Sequence, residues 1–151
     1  MVKLTLRIDG TDLVEDEFKD LGERAKDAEP VMRKIQKSML EGSRLVWESE
    51  GATAGKSWQQ DTERWIERKK AKGWDTKTEH RRGDLEASLT IEGGGEFAGE
   101  VRKVRKTETI FGTRVFYAIF QMHRRRLLSV VRRDREIWAE WIIDWILSGN
   151  K

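Results

Sequence analysis

The side chains of this chain best suited to a chemical role are two dense groups of basic residues. The first contains Arg102, Lys103, Arg105 and Lys106. The second places five arginines within ten residues, at Arg124, Arg125, Arg126, Arg132 and Arg133. Guanidinium groups form paired hydrogen bonds with phosphate oxygens, so such clusters can contact a nucleic-acid backbone. They can equally form ion pairs with the acidic faces of neighbouring subunits, and the sequence leaves both interpretations open.

Groups that could perform catalysis are not concentrated anywhere in the sequence. Cysteine is absent, and the two histidines, His80 and His123, lie far apart with no ligand spacing around them. The segment 51–57 is similar to a phosphate-binding loop, but it has three residues between its glycines where that motif has four. It also follows a predicted helix instead of a strand, so we interpret it as a glycine-bearing linker. We expect no catalytic site, no metal site and no cofactor.

The composition is typical of one modest domain with a mixed, highly charged surface. Of the 151 residues, 38% are charged and 37% are hydrophobic. There are 30 basic and 27 acidic residues. A net charge of +3 therefore does not by itself indicate a nucleic-acid partner. The amino terminus has no long apolar region, and no apolar run reaches the roughly 20 residues that span a bilayer. We predict a single domain over residues 1–151 that is made in a cytosol and has no membrane partner.

The longest periodic signal is a stripe of small and apolar residues from Val14 to Val46, spaced alternately four and three positions apart. This heptad spacing predicts a long amphipathic helix. Pro30 interrupts it and predicts a kink or two stacked helices, with Pro30 in the first turn of the second. So long a helix exceeds what a small domain can cover, and we expect a partner subunit to cover part of it.

A second candidate contact surface lies in the last third of the chain. Aromatic residues in the segment 116–123 precede the arginines, and Asp134 then opens a helix rich in tryptophan. We expect one side of that helix to face the core and the other to face a neighbouring subunit. The predicted subunit interface comprises Phe18, Met32, Ile35, Met39, Tyr117, Phe120, Trp138, Trp141 and Trp145.

The remaining patterns predict short elements between these helices. Alternation over residues 2–9 predicts a strand, and residues 59–72 and 116–123 predict short helices. Residues 84–88 predict one helical turn leading into a strand over 89–92, while 97–106 and 108–115 predict two antiparallel strands. Together they indicate an α+β fold: a long N-terminal helix packed on a small antiparallel β-sheet, with short helices and an amphipathic C-terminal helix.

Several of these segments, taken in order, resemble the phage virion-morphogenesis family, from about residue 12 to residue 147. These are the tail-completion and neck proteins of Mu-like, long-tailed bacteriophages and prophages. A long amino-terminal helix is followed by Gly55-Lys56-Ser57-Trp58 and by a helix running from Thr62 to Lys69. The resemblance continues through Arg82-Gly83-Asp84-Leu85-Glu86-Ala87-Ser88, a β-meander, Tyr117-Ala118-Ile119-Phe120-Gln121 and the helix at Asp134.

The resemblance implies a non-catalytic component of the head–tail junction that forms a ring, with six copies around the DNA path. Its partners would be further copies of itself, other tail or neck proteins, and DNA in transit through the lumen. It would reside in the cytoplasm of the bacterial host during assembly and then in the virion. In such a ring the basic groups would face the lumen or an adjacent subunit. The alternative from the residues alone is a non-specific DNA-binding module that uses the C-terminal arginine cluster.

Overall fold

The computed structural model describes residues 11–74, 76, 84–92 and 99–149. Six α-helices are present there: α1 (Thr11–Lys26), α2 (Glu29–Glu48), α3 (Glu63–Ala71), α4 (Asp84–Thr90), α5 (Ala118–Arg124) and α6 (Arg132–Ser148). The strands β1 (Glu100–Val104) and β2 (Thr109–Thr113) pair as one antiparallel hairpin. The predicted α+β fold is therefore confirmed. The predicted strand over 2–9 lies outside the described residues.

The predicted long helix is present as two helices, α1 and α2, separated by Asp27 and Ala28. Pro30 lies in the first turn of α2, as predicted, where its missing N–H costs no helical hydrogen bond. The backbone N–H of Ala28 donates to the carbonyl oxygen of Lys106 at 2.7 Å, and Lys106 Nζ lies 3.2 Å from the Asp27 carboxylate. The segment Arg24–Glu29, which we call the elbow, is thus fixed to the β-hairpin.

The β-hairpin packs against α2 and depends on it, because an isolated two-stranded hairpin is only marginally stable in water. Its register pairs Glu100 with Thr113 and Val104 with Thr109. The side-chain amide nitrogen of Gln36 lies 3.2–3.3 Å from the carbonyl oxygens of Lys103 and Ile110 and from Thr109 Oγ1. One side chain of α2 therefore contacts both strands.

Most of the buried apolar residues in the described part of the chain form two clusters, one toward each end of α2. The elbow cluster consists of Ala28, Val31, Met32 and Ile35, with the tryptophans of α6 packed against it. The base cluster lies at the other end of α2 and consists of Val46, Trp47, Ala54, Trp58, Leu85, Leu89, Ala118 and Leu127. α2 connects them over a length of about 30 Å.

The predicted strand over 89–92 is wrong, because helix α4 extends to Thr90. Leu85, Ser88 and Leu89 are buried at the i, i+3, i+4 spacing of one helical face. The hydroxyl groups of Ser88 and Thr90 donate to the carbonyl oxygens of Leu85 and Glu86, both at 2.8 Å, and so stay within the helix. Burial of this face outweighs the strand preference of Thr90 and Ile91.

The other predicted elements are present with shifted bounds. α3 is shorter than the predicted 59–72, and both strands are shorter than predicted. The segment interpreted as a linker contains a tight 3-10 turn, Ala52–Ala54, in which Ala54 is buried. No helix in the described part of the chain is long and apolar enough to cross a membrane.

Candidate interaction surfaces

Helix α6 is held against the elbow and α2 by its three tryptophans. The indole N–H of Trp145 lies 3.1 Å from the carbonyl oxygens of both Arg24 and Asp27. The indole N–H of Trp138 donates to Ser38 Oγ at 3.1 Å, and Lys34 Nζ lies 4.3 Å from the centre of the Trp141 ring. These half-buried rings therefore have intramolecular partners.

The predicted subunit interface divides into buried and exposed members. Met32 and Ile35 belong to the elbow cluster and are at most 9% exposed, so their prediction as interface residues is wrong for this fold. Met39 and Tyr117 are partly buried against the two clusters. Phe18 and Phe120 are exposed and remain available to a partner.

Because Trp145 contributes both hydrogen bonds and packing, its substitutions should lower the free energy of unfolding by different amounts. Trp145→Phe should lower the free energy of unfolding by about 1 kcal/mol, because the ring remains but its N–H bond is lost. Trp145→Ala should cost about 2–3 kcal/mol because packing on the elbow is lost as well. Leu147→Ala, at a mostly exposed position of the same helix, should change little. Urea denaturation followed by circular dichroism measures all three, and equal effects for Trp145→Ala and Leu147→Ala would contradict the role of the indole.

The first basic group, like the predicted subunit interface, has both buried and exposed members. Arg102 is nearly buried: its guanidinium donates to the Ile91 carbonyl at 2.7 Å, lies 3.4 Å from Glu100, and packs 5.4 Å from the centre of the Phe111 ring. Its predicted role as a DNA or partner contact is therefore corrected to one inside the fold. Arg105 forms an exposed ion pair with Glu108, and Lys103 is exposed.

The second basic group contains both internal and external arginines. Arg125 donates to the Gln59 carbonyl at 2.7 Å and lies 3.7 Å from Asp61, so it too belongs to the fold. Burial lowers the pKa of the Arg125 guanidinium, and Asp61 acts in the opposite direction. Arg126 donates to the Ala54 carbonyl at 3.2 Å, and Arg132 pairs with Glu136 on the surface.

Two arginines of the second basic group, Arg124 and Arg133, remain available to a partner, as do arginines outside it such as Arg64, Arg114 and Arg135. Arg114, Arg124 and Arg133 are exposed, and none of them forms an ion pair within the described part of the chain. Arg114 was not singled out by the sequence, because it stands apart from both clusters. Arg114 is exposed four residues before helix α5, so it is as accessible to a partner as Arg124.

A buried ion pair is the main feature that the sequence did not reveal. Lys69 is 1% exposed, and its Nζ lies 2.7 Å from Asp61 Oδ2. Asp61 also faces Arg125, so one carboxylate holds a cation from α3 and another from the end of α5. This arrangement fixes both elements beside the base cluster.

The base cluster is completed by two tryptophans in edge-to-face contact. The ring centres of Trp47 and Trp58 are 5.0 Å apart with an interplanar angle of 85°. The indole N–H of Trp58 donates to the Arg126 carbonyl at 3.3 Å. The arginine-rich segment after α5 is thus anchored by its backbone as well as by Arg125.

Chemical sites of other kinds are not evident in this part of the chain. No group of three or more histidine, cysteine or acidic side chains able to hold a metal ion occurs among the described residues. Comparisons with models of known protein families, with curated protein sequences and with solved structures found no significant match.

Proposed function

We propose that this protein is a structural assembly protein. The observation that carries the proposal is the exposure of large apolar side chains on two separate helices. Phe18 on α1 is 69% exposed, and Phe120 on α5 is 67% exposed, each with apolar neighbours that are also exposed. Contiguous exposed apolar surface is characteristic of sites that bind other macromolecules.

Within that class, we propose a ring-forming component of the head–tail junction of a long-tailed phage or prophage, acting in tail completion or head–tail joining. The support is the ordered set of motifs between residues 12 and 147. Several motif positions are buried in the fold, among them Trp58, Lys69, Leu85 and Ser88. If the chain shares the fold of the virion-morphogenesis family, these positions are expected to be buried.

Deletion of the gene from the phage or prophage that encodes the protein tests this proposal. We expect induced cells to accumulate filled heads and separate tails, visible by electron microscopy, and to yield few infectious particles. Expression of the wild-type protein in trans should restore joined particles. Normal particle yield and morphology after the deletion would refute the proposed function.

Non-specific DNA binding is the second candidate, because Arg114, Arg124 and Arg133 are exposed cations. Each phosphate contact contributes about −0.9 to the slope of log affinity against log salt concentration. Arg124→Ala/Arg133→Ala should therefore reduce that slope by roughly 2 in fluorescence-anisotropy titrations with duplex DNA. Arg105→Ala, at an exposed arginine that is already ion-paired, serves as the control. Absence of binding at low salt would eliminate this candidate.

A further inference from the structure

The first half of α1 is a helical arm that the described part of the molecule leaves uncovered. Every residue from Leu13 to Asp20 is exposed. We call this segment the arm. Leu13, Val14 and Phe18 are the large apolar side chains of this segment and are 72%, 52% and 69% exposed. So short a helical segment gains little stability from its own hydrogen bonds, and burial of its apolar stripe is what would stabilise it.

Helix α5 and the turn before it present a second uncovered surface, which we call the α5 patch. It consists of Phe116, Ile119, Phe120 and Met122, and Phe116 is the most exposed of them at 83%. Beneath the patch, Ala118 belongs to the base cluster. The patch is therefore held in place by the core.

The charges around the two surfaces are opposite. The arm carries Glu15, Asp16, Glu17 and Asp20 with Lys19 as its one basic residue. In contrast, no acidic residue occurs between Glu108 and Asp134, and Arg114 and Arg124 flank the α5 patch with exposed side chains. Complementary charge around apolar surfaces favours one specific pairing and accelerates its formation.

The arm cannot reach the α5 patch of its own molecule. It extends from the elbow, which is fixed by the Ala28 bond to Lys106 and by the Trp145 bonds to Arg24 and Asp27. The α5 patch lies over the base cluster, at the far end of α2. α2 is about 30 Å long, whereas α1 from the elbow at Arg24 to the tip of the arm at Leu13 spans about 17 Å.

We propose that the arm of one copy docks on the α5 patch of the next copy, head to tail. This contact joins two different surfaces, so each copy keeps one arm and one patch free for further neighbours. Such heterologous contacts generate a closed ring when the rotation between copies closes. The inference rests on the proposed function in that it supplies the subunit contact of the ring.

Two variants test this contact, each placing a carboxylate on one of the surfaces. Phe18→Glu disables the arm and Phe120→Glu disables the patch. Both side chains are exposed, so both variants should fold with unchanged thermal melting. We expect the wild-type protein to form oligomers in sedimentation velocity and each variant alone to be monomeric, with association weakened roughly thirtyfold or more.

The mixture of the two variants gives the decisive result. An equimolar mixture should form a heterodimer and nothing larger, because the intact arm of Phe120→Glu still fits the intact patch of Phe18→Glu. Leu45→Glu, at another exposed apolar position on α2, should associate like the wild type. Glu15→Lys/Glu17→Lys should weaken association, and the addition of Arg114→Glu/Arg124→Glu in the same chain should restore it.

The results of these experiments distinguish a failure of the proposed contact between arm and patch from a failure of the proposed function. A monomeric wild type, variants that associate normally, or a mixture that stays monomeric would each overturn the docking of arm on patch. Those results leave the gene-deletion phenotype unaffected. Conversely, normal phage particles after deletion would refute the head–tail role even if the heterodimer formed as expected.

Discussion

Replacing Asp61 by alanine is expected to lower the free energy of unfolding by about 3–5 kcal/mol, which is a large fraction of the stability of a typical domain. The variant removes the carboxylate that lies 2.7 Å from the Lys69 ammonium and 3.7 Å from the Arg125 guanidinium. Lys69 is almost fully buried, so water cannot replace the lost partner. A drop in melting temperature of roughly 10 °C or more should follow.

Two further variants distinguish a buried charge effect from a general loss of packing. Asp61→Leu/Lys69→Met removes the closer pair of charges at similar volume and should recover part of the stability lost in Asp61→Ala. The remaining loss would be that of the Asp61 carboxylate beside the Arg125 guanidinium. Glu136→Ala breaks the exposed pair with Arg132 and should cost less than about 1 kcal/mol. Equal losses for Asp61→Ala and Glu136→Ala in urea denaturation would show that the internal pair has no special role.

Trp58→Ala is expected to cost about 3–5 kcal/mol, the second large effect. Trp58 is 5% exposed, meets Trp47 edge to face, and donates its indole N–H to the carbonyl of Arg126. It also lies against Gly51, where a β-carbon would approach the indole ring to 2.4 Å. Truncation leaves a cavity where the 3-10 turn, α2 and the segment after α5 meet.

Far-UV circular dichroism is the suitable readout, because removing a tryptophan changes the fluorescence signal itself. Trp58→Phe should lose about 1–2 kcal/mol, since most of the ring remains while its hydrogen bond is lost. Phe116→Ala should change stability by no more than about 0.5 kcal/mol, because that ring is mostly exposed. If Trp58→Ala were as stable as Phe116→Ala, the base cluster would not depend on this ring.

The parts of the fold that were predictable from the sequence are those determined by local chemistry. Pro30 marks the start of α2, and alternating residues mark the strands around Lys106. α4 was mistaken in part for a strand because three consecutive β-branched or apolar residues, Leu89, Thr90 and Ile91, do not define a period. Its helical form follows from contacts with α2 and β2, which are distant in sequence.

The interaction surfaces were only partly predictable for the same reason. A heptad stripe identifies one helix face, but it does not distinguish Met32, which the α6 tryptophans cover, from Phe18, which remains exposed. Likewise, Arg124 and Arg125 are adjacent in sequence, yet only Arg125 faces Asp61. Which arginine turns inward depends on Gln59 and Asp61, which lie far earlier in the chain.

The way the elbow is fixed also bears on the order of events during synthesis. Its direction depends on Lys106 and Trp145, which leave the ribosome long after Asp27 and Ala28. Until Trp145 has been added, a nascent chain lacks the contacts that orient α1. Under the proposed contact, docking of the arm on a neighbouring copy would become possible only late in translation, which would limit premature association of nascent chains.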